Sequence, residues 1–133
     1  MAQHEVELIL MKQVASYLAM PVFLVDPKGN LLYYNEPAED ILGQRYDETG
    51  EMPVEEWGTV FHPTDRDGRP LALDELPLVS AMQRRRPSHG DFWIRGLDGT
   101  TRHIAVTAFP MIGLGRRELG SVALFWEQEE DDL

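Results

Sequence analysis

Residues 21–35 of this 133-residue chain constrain its fold more than any other stretch. Two short apolar runs flank the turn sequence Asp-Pro-Lys-Gly-Asn. Pro27 presets φ near about −65° and Gly29 permits a positive φ, while the side chains of Asp26 and Asn30 can hydrogen-bond the neighbouring backbone. The stretch therefore predicts a β-hairpin whose turn is specified by local sequence.

Capping signals for a short helix follow the hairpin directly. Asn35 stands where an N-cap belongs, Pro37 lies among acidic residues in the first turn, and Gly43 follows the last apolar residues of the pattern. Asparagine favours N-caps, proline suits a first turn, and glycine favours the position after a helix. We expect a helix over residues 36–42.

A long polar stretch, residues 44–74, separates this helix from a later one. Trp57 and Phe61 are embedded in it, and loops of this length usually carry short helices or a functional site. Residues 75–86 predict the later helix, with Asp74 as its candidate N-cap.

The second half of the chain predicts strands. Residues 22–25 and 120–126 are apolar on both sides, which predicts strands that are covered on both faces. Residues 102–109 predict a strand with one apolar face. On that strand we assign Ile104, Val106 and Ala108 to the apolar face and Arg102, Ala105 and Thr107 to the opposite face.

This order of hairpin, capped helix, polar loop, late helix and closing strands resembles that of PAS domains, the small sensory modules of signalling proteins. The residues that carry the resemblance are Asp26, Gly29, Asn30, Asn35, 76–86, Asp98, Gly99, Arg102, Ile104, Val106, Pro110 and 120–126. It implies an α+β fold, with a five-stranded antiparallel sheet, short helices on one face and an N-terminal amphipathic helix on the other. The chain would divide into a flanking helix at 1–19, a PAS domain at 20–127 and an acidic tail at 128–133.

The resemblance also implies a ligand cavity between the inner sheet face and the short helices. Its expected lining is Phe23, Val25, Tyr34, Leu42, Trp57, Phe61, Leu78, Met82, Ile94, Ile104, Val106 and Phe125. Tyr34 is the expected polar contact, since a buried phenol normally needs a hydrogen-bond partner, although backbone could equally supply that partner. A packed core without ligand requires the same residues, so both interpretations stand.

The N-terminal segment predicts an amphipathic helix. Residues 4–18 place a broad apolar stripe at helical spacing. The stripe consists of Val6, Ile9, Leu10, Val14, Tyr17 and Leu18. By PAS register the outward sheet residues that would seat the helix or a second subunit are Val22, Leu24, Val122, Leu124 and Trp126. The stripe is expected to pack on its own sheet, or also to form the seam of a homodimer, as flanking helices of PAS domains often do.

Composition excludes several classes of protein. The chain has no cysteine, which removes disulfides, thiolate metal sites and the thiol adduct that blue-light flavin PAS domains form. A net charge of −11 disfavours nucleic acid. The longest apolar stretches fall far short of the roughly 18 residues that a membrane span needs, and no signal peptide is apparent, so we expect a cytoplasmic location and no membrane partner.

No arrangement of residues predicts catalysis or a metal site. The four histidines have no two at i, i+3 or i, i+4 spacing, and His62 and His89 are the only candidates for a haem ligand. No nucleophile elbow or phosphate loop is present. No cofactor is required, and we expect a non-enzymatic sensor or relay that contacts another signalling protein. A ligand-free dimerisation adaptor is the first alternative, and a small enzyme with inward titratable residues is the second.

The basic cluster Arg84–Arg86 lies at the end of the predicted late helix. Positive charge there complements the helix dipole and the exposed carbonyls. A docking patch for an acidic partner is the alternative interpretation.

Overall fold

The computed structural model describes residues 3–128, which form helices on both faces of one sheet. Its helices are α1 (Gln3–Tyr17), α2 (Glu36–Leu42), α3 (Tyr46–Thr49), α4 (Val54–Val60) and α5 (Pro77–Arg84). Its strands are β1 (Val22–Val25), β2 (Leu31–Tyr34), β3 (Ser88–Arg95), β4 (Thr101–Ile112) and β5 (Glu118–Glu127). Short 3-10 turns lie at Leu73–Glu75 and Leu114–Arg116. None of the helices within residues 3–128 is long and apolar enough to cross a bilayer.

The five strands form one antiparallel sheet in the order β2-β1-β5-β4-β3, which confirms the predicted architecture. The central strand β5 pairs with β1 through Phe23 and Ala123, and with β4 through Val106 and Phe125. The last strand therefore lies between the first and the fourth, and its two faces contribute to hydrophobic clusters on opposite sides of the sheet. This position explains why residues 120–126 are apolar on both sides.

Local signals specify the first hairpin and the helix after it, as predicted. Asp26 Oδ1 accepts hydrogen bonds from the backbone N–H groups of Lys28 and Asn30, each at 2.9 Å. Gly29 has φ of +92° in the turn. Gly43 ends α2 with φ of +81°, a left-handed conformation that glycine adopts without a Cβ clash.

Two hydrophobic clusters lie on opposite faces of the sheet. The inner cluster contains Phe23, Val25, Ala123 and Phe125 together with buried residues of α2, α4 and α5. The outer cluster joins buried residues of the sheet to α1, and its members are Ala15, Val22, Leu24, Met111, Leu119 and Val122. Leu124 is partly buried beside the outer cluster, whereas Trp126 is 39% exposed.

The face by which α1 packs on its own sheet differs from the predicted stripe. The helix docks through Ala15, with Leu8 and Met11 partly buried beside it. The predicted stripe points away from the sheet, and its residues Val6, Ile9, Leu10, Val14, Tyr17 and Leu18 are all exposed. Residues 8–11 are four consecutive apolar residues, which face every side of a helix with 3.6 residues per turn. Spacing alone therefore did not select the docking face.

Two local assignments from the sequence are wrong. Arg102 lies on the same side of β4 as Ile104, because alternate residues of a strand share a face, and its guanidinium reaches inward to the carbonyl oxygen of Ile41 at 2.9 Å. Asp74 does not cap α5. That helix starts after Leu76 with no side-chain cap, and Pro77 occupies its first position, where the missing N–H costs no intrahelical bond.

Candidate functional site

A partly open cavity of about 80 Å³ lies between the inner face of the sheet and the helices. Its lining is Phe23, Leu42, Trp57, Phe61, Pro63, Leu76, Pro77, Leu78, Phe92, Ile94, Ile104, Val106, Ala123 and Phe125. Every one of these side chains is apolar except for the indole N–H of Trp57. The site is therefore a small apolar space that presents almost no polar or titratable group.

Nine of the twelve residues predicted to line a cavity do so. They are Phe23, Leu42, Trp57, Phe61, Leu78, Ile94, Ile104, Val106 and Phe125. Val25 and Tyr34 are fully buried in the inner cluster but lie away from the cavity. Met82 packs against that cluster at the first hairpin, where its Cε lies close to Gly29.

Sequence reasoning missed five lining residues. Phe92 and Ala123 could have been predicted from the sequence, because the alternation of side chains along their strands places both on the inner face of the sheet. Pro63, Leu76 and Pro77 carried none, since they reach the cavity only through the path of the long loop and the start of α5.

Tyr34 satisfies its hydroxyl within the protein. It donates a hydrogen bond to the carbonyl oxygen of Gln44 at 2.8 Å and lies 3.1 Å from the hydroxyl of Thr49. Burial raises the pKa of Tyr34 above the ordinary tyrosine value, so the phenol stays protonated. The backbone is thus the partner of Tyr34, and the hydroxyl is not offered to a ligand.

Trp57 anchors α4 over the sheet. Its Nε1 donates to the carbonyl oxygen of Gly29 at 2.7 Å, and its ring meets Phe23 edge-on with centroids 5.3 Å apart. Among the described residues, no buried side-chain nitrogen or oxygen lacks a hydrogen-bond partner. The cavity therefore presents no unpaired polar group that could orient a polar ligand.

Size and lining together limit what the cavity accepts. Pockets for drug-sized ligands occupy about 300–1,000 Å³, and small apolar cavities stay dry. His62 is exposed, and His89 Nδ1 lies 2.7 Å from the hydroxyl of Thr107 on β4, so neither lines the cavity. No cluster of metal-binding side chains lies within the described part of the chain. The residues present do not fit a haem, and the volume does not fit a flavin.

The exposed side of α1 is a second candidate site. Val6, Ile9, Leu10, Val14 and Tyr17 project from one side of this helix and are between 46% and 84% exposed. Contiguous exposed apolar surface of this kind marks contact sites in proteins that are not membrane-bound. The stripe is thus the most apolar uncovered surface on α1.

A buried amide joins the end of α1 to the sheet and to α2. Asn35 Nδ2 donates to the carbonyl oxygens of Ala15 and Met20, each at 2.9 Å. Its Oδ1 accepts from the backbone N–H of Val22 at 2.9 Å and from that of Ala38 at 3.3 Å. The sequence predicted Asn35 as the cap of α2 and missed its other four bonds, which include a longer one to the carbonyl oxygen of Leu18 at 3.4 Å, because these involve segments distant in sequence.

An ion pair holds the other half of α1. Glu7 accepts from the guanidinium of Arg117, which lies in the loop between β4 and β5. Gly113 of the same loop approaches the Glu7 carboxylate so closely that a Cβ there would clash with it. Polar contacts therefore fix α1 at two points, with a small apolar contact between them.

The family of the chain follows from this fold and from comparison with known proteins. Residues 10–126 match the family model described as the PAS fold. The chain therefore belongs to the PAS family, whose domains are sensory and signalling modules of kinases and regulators and are typically non-catalytic. No curated protein matches the sequence.

Solved structures share the fold at low sequence identity. The PAS domain of Bordetella pertussis BvgS is 21% identical, with a TM-score of 0.66 over 93% of this chain and 88% of that one. The Rhodobacter sphaeroides LOV protein is 12% identical, with a TM-score of 0.73 over 95% of this chain and 70% of that one. The PAS domain of nitrogen regulation protein NR(II) from Vibrio parahaemolyticus is 16% identical, with a TM-score of 0.61 over 90% and 98%. At these identities the likeness shows the fold alone.

Proposed function

We propose that this PAS domain relays a signal by contact between protein chains, and that the exposed stripe of α1 is the surface by which two copies associate as a homodimer. The observation that carries the proposal is the orientation of α1. The helix docks on its own sheet through Leu8, Met11 and Ala15, while a larger apolar stripe on its opposite side stays uncovered. A second copy of the same stripe matches it in chemistry.

The anchors of α1 supply a route between the inside of the domain and that stripe. Asn35 contacts α1 and the first turn of α2, and Leu42 at the other end of α2 lines the cavity. A change in the packing of α2 would thus act on Asn35 and on the end of α1. The relay would be a shift between two packings of α1, each with its own affinity for a partner chain.

Ligand-free relay is favoured over sensing of a large cofactor. The cavity holds about 80 Å³, no histidine or carboxylate lines it, and its single polar atom already has a partner. For the same reason we propose that the domain is not an enzyme, because acid–base or nucleophilic chemistry needs a titratable group in the cleft.

A small apolar ligand is the second candidate function. Apart from the paired indole N–H of Trp57 the cavity is lined by apolar groups, and such a space can accept a compact apolar molecule of a few atoms. Native mass spectrometry of freshly purified protein would report both retained mass and subunit count. An added mass that disappears in Ala123→Val, which narrows the cavity, would favour this candidate over ligand-free relay.

The homodimer is tested by charge substitution in the stripe. The double variant Ile9→Glu/Val14→Glu should sediment as a monomer where the unmodified chain sediments as a dimer, because two carboxylates would be buried in each half of the interface. The matched control is Leu97→Glu, which places a carboxylate at another exposed apolar residue, in the turn between β3 and β4. A chain that is monomeric at all concentrations, or a dimer that survives the double variant, would show that the stripe is not the interface.

A further inference from the structure

An open cleft of about 920 Å³ lies at the end of the molecule opposite to the C-terminal end of β5. Four segments form it: the turn between β1 and β2, the C-terminal end of α5, the loop before β5, and α1. Its lining is Leu8, Asp26, Pro27, Lys28, Asn30, Leu32, Arg85, Arg116, Arg117 and Glu118. The cleft shares no residue with the interior cavity or with the exposed stripe of α1.

Positive charge is concentrated around this cleft. The whole chain has 12 lysines and arginines and a net charge of −11. Four of those cations line the cleft, namely Lys28, Arg85, Arg116 and Arg117. The carboxylates that line the cleft or pair with its arginines are Asp26, Glu118 and Glu7. The cleft thus has an excess of positive over negative side chains, whereas the whole chain is acidic.

Part of this charge is available to a ligand. Within the described residues, Lys28 and Arg116 take part in no ion pair. Arg85 pairs with Glu118 at 2.6 Å, but its side chain is 72% exposed, and ion pairs at that exposure contribute little to stability. An incoming carboxylate can replace Glu118 at small cost.

The backbone at two of these arginines adopts a conformation that arginine rarely takes. Arg85 has φ of +56° and Arg116 has φ of +61°, and they are two of three non-glycine residues with positive φ in the described chain. Glycine would adopt either conformation with less strain. Arg85 adopts this conformation as the residue that ends α5, and the side chains of Arg85 and Arg116 both line the cleft.

We infer that this basic cleft binds an acidic segment of a partner protein that also carries an apolar side chain. The cations would pair with its carboxylates, and Leu8, Pro27 and Leu32 supply an apolar surface between them. Nucleic acid is disfavoured, because the rest of the chain carries excess negative charge that would repel phosphates. Since Leu8 belongs to α1, an occupant would touch the same helix that presents the exposed stripe.

The test measures binding of a fluorescent synthetic dodecapeptide of glutamate, aspartate and two leucines to the full chain by anisotropy. Binding should saturate, weaken as salt screens the charges, and fall at least tenfold in Lys28→Glu/Arg116→Glu. The double variant Arg45→Glu/Arg66→Glu changes the net charge equally at distant exposed arginines and should bind within twofold of the unmodified chain. If Lys28→Glu/Arg116→Glu fails to fold, Lys28→Gln/Arg116→Gln replaces it, with a smaller loss expected.

Three outcomes would overturn the inference. The peptide would fail to bind at low salt, both charge-reversal variants would lose affinity equally, or a peptide with glutamine and asparagine in place of its acids would bind as well. Self-association that Lys28→Glu/Arg116→Glu abolishes would make a second copy the occupant and would also exclude the partner segment. Ile9→Glu/Val14→Glu should leave peptide binding unchanged, so this inference and the proposed homodimer fail separately.

Discussion

Asn35 donates a hydrogen bond to the carbonyl oxygen of Ala15 across 20 residues of sequence, at 2.9 Å in a fully buried position. The same side chain caps α2 through the N–H of Ala38. One amide therefore sets the position of α1 relative to the first helix of the inner face. The Asn35 side chain thus couples the outer layer of the domain to its inner layer.

Replacing Asn35 by alanine should destabilise the domain by about 2–4 kcal/mol, because the partners at Ala15, Met20 and Val22 would lose their bonds in a buried site. Urea unfolding followed by circular dichroism measures the loss. Asn35→Asp keeps the acceptor and removes the donor, so it should speed hydrogen exchange in α1 more than in α2. Equal exchange in both helices would mean that Asn35 does not hold α1 specifically.

Trp57→Phe should cost about 1–3 kcal/mol, since the substitution removes the bond to Gly29 and leaves additional empty space beside the cavity. Trp126→Phe is the matched control, because Trp126 is an outer-face tryptophan that is 39% exposed, and it should cost about 1 kcal/mol or less. Chemical denaturation of both variants compares the two. Similar losses would argue against Trp57 as an anchor of α4.

Stability should decrease in acid partly through Asp98. The backbone N–H of Thr100, and then the guanidinium of Arg102, hold the pKa of Asp98 below its ordinary value. In the unfolded chain the Asp98 carboxyl has an ordinary pKa of about 3.9, so as the pH falls it takes up a proton before the folded-state carboxyl does. The stabilisation present at neutral pH is therefore lost as the pH falls through the folded-state pKa. Denaturation midpoints measured from about pH 6 to pH 2 should fall less steeply in Asp98→Asn.

A second carboxylate gives an internal check on that experiment. The backbone N–H groups of Arg69 and Asp67, with the guanidinium of Arg69, lower the pKa of Asp65 as well. Asp65→Asn should therefore flatten the acid dependence in the same direction, and the double variant should flatten it further. Midpoints that run parallel to those of the unmodified chain would show that neither group contributes.

Gly120→Ala should disrupt the pairing of β1 with β5. Gly120 has φ of +128°, and a Cβ there would overlap the carbonyl oxygen of Val25. We expect a loss above about 3 kcal/mol, or failure to fold, as measured by thermal unfolding. Gly68→Ala is the control, because Gly68 also has a positive φ but no atom lies within 4 Å of its added Cβ, so the expected loss is about 1–2 kcal/mol.

Locally encoded features could be predicted from the sequence. The turn at Asp26 and the start of α2 at Asn35 depend on side chains that bond within four residues, and the end of α2 depends on the left-handed backbone of Gly43. The strands that are covered on both faces could also be predicted, because apolar residues on both sides of a strand must be covered by other elements on each side. These signals sufficed for the order of elements and the sheet, and hence for the fold.

Features set by distant contacts could not be predicted in the same way. The docking face of α1 depends on the pair of Glu7 with Arg117, which are 110 residues apart. The space inside the domain depends on how well Trp57, Phe61 and their neighbours fill it, which composition does not determine. The basic cleft likewise requires three separate loops to meet, although Arg84–Arg86 signalled one of them.

The small apolar cavity beneath the inner helices also determines how this protein should respond to hydrostatic pressure. Pressure favours states of lower total volume, and filling internal voids with water on unfolding lowers that volume. The void lies under α4 and α5 and far from α1, so compression should perturb the inner helices first. NMR resonances of Trp57 and Leu78 would then shift at lower pressure than those of residues in the outer cluster. The two faces of the sheet would thus respond to pressure separately.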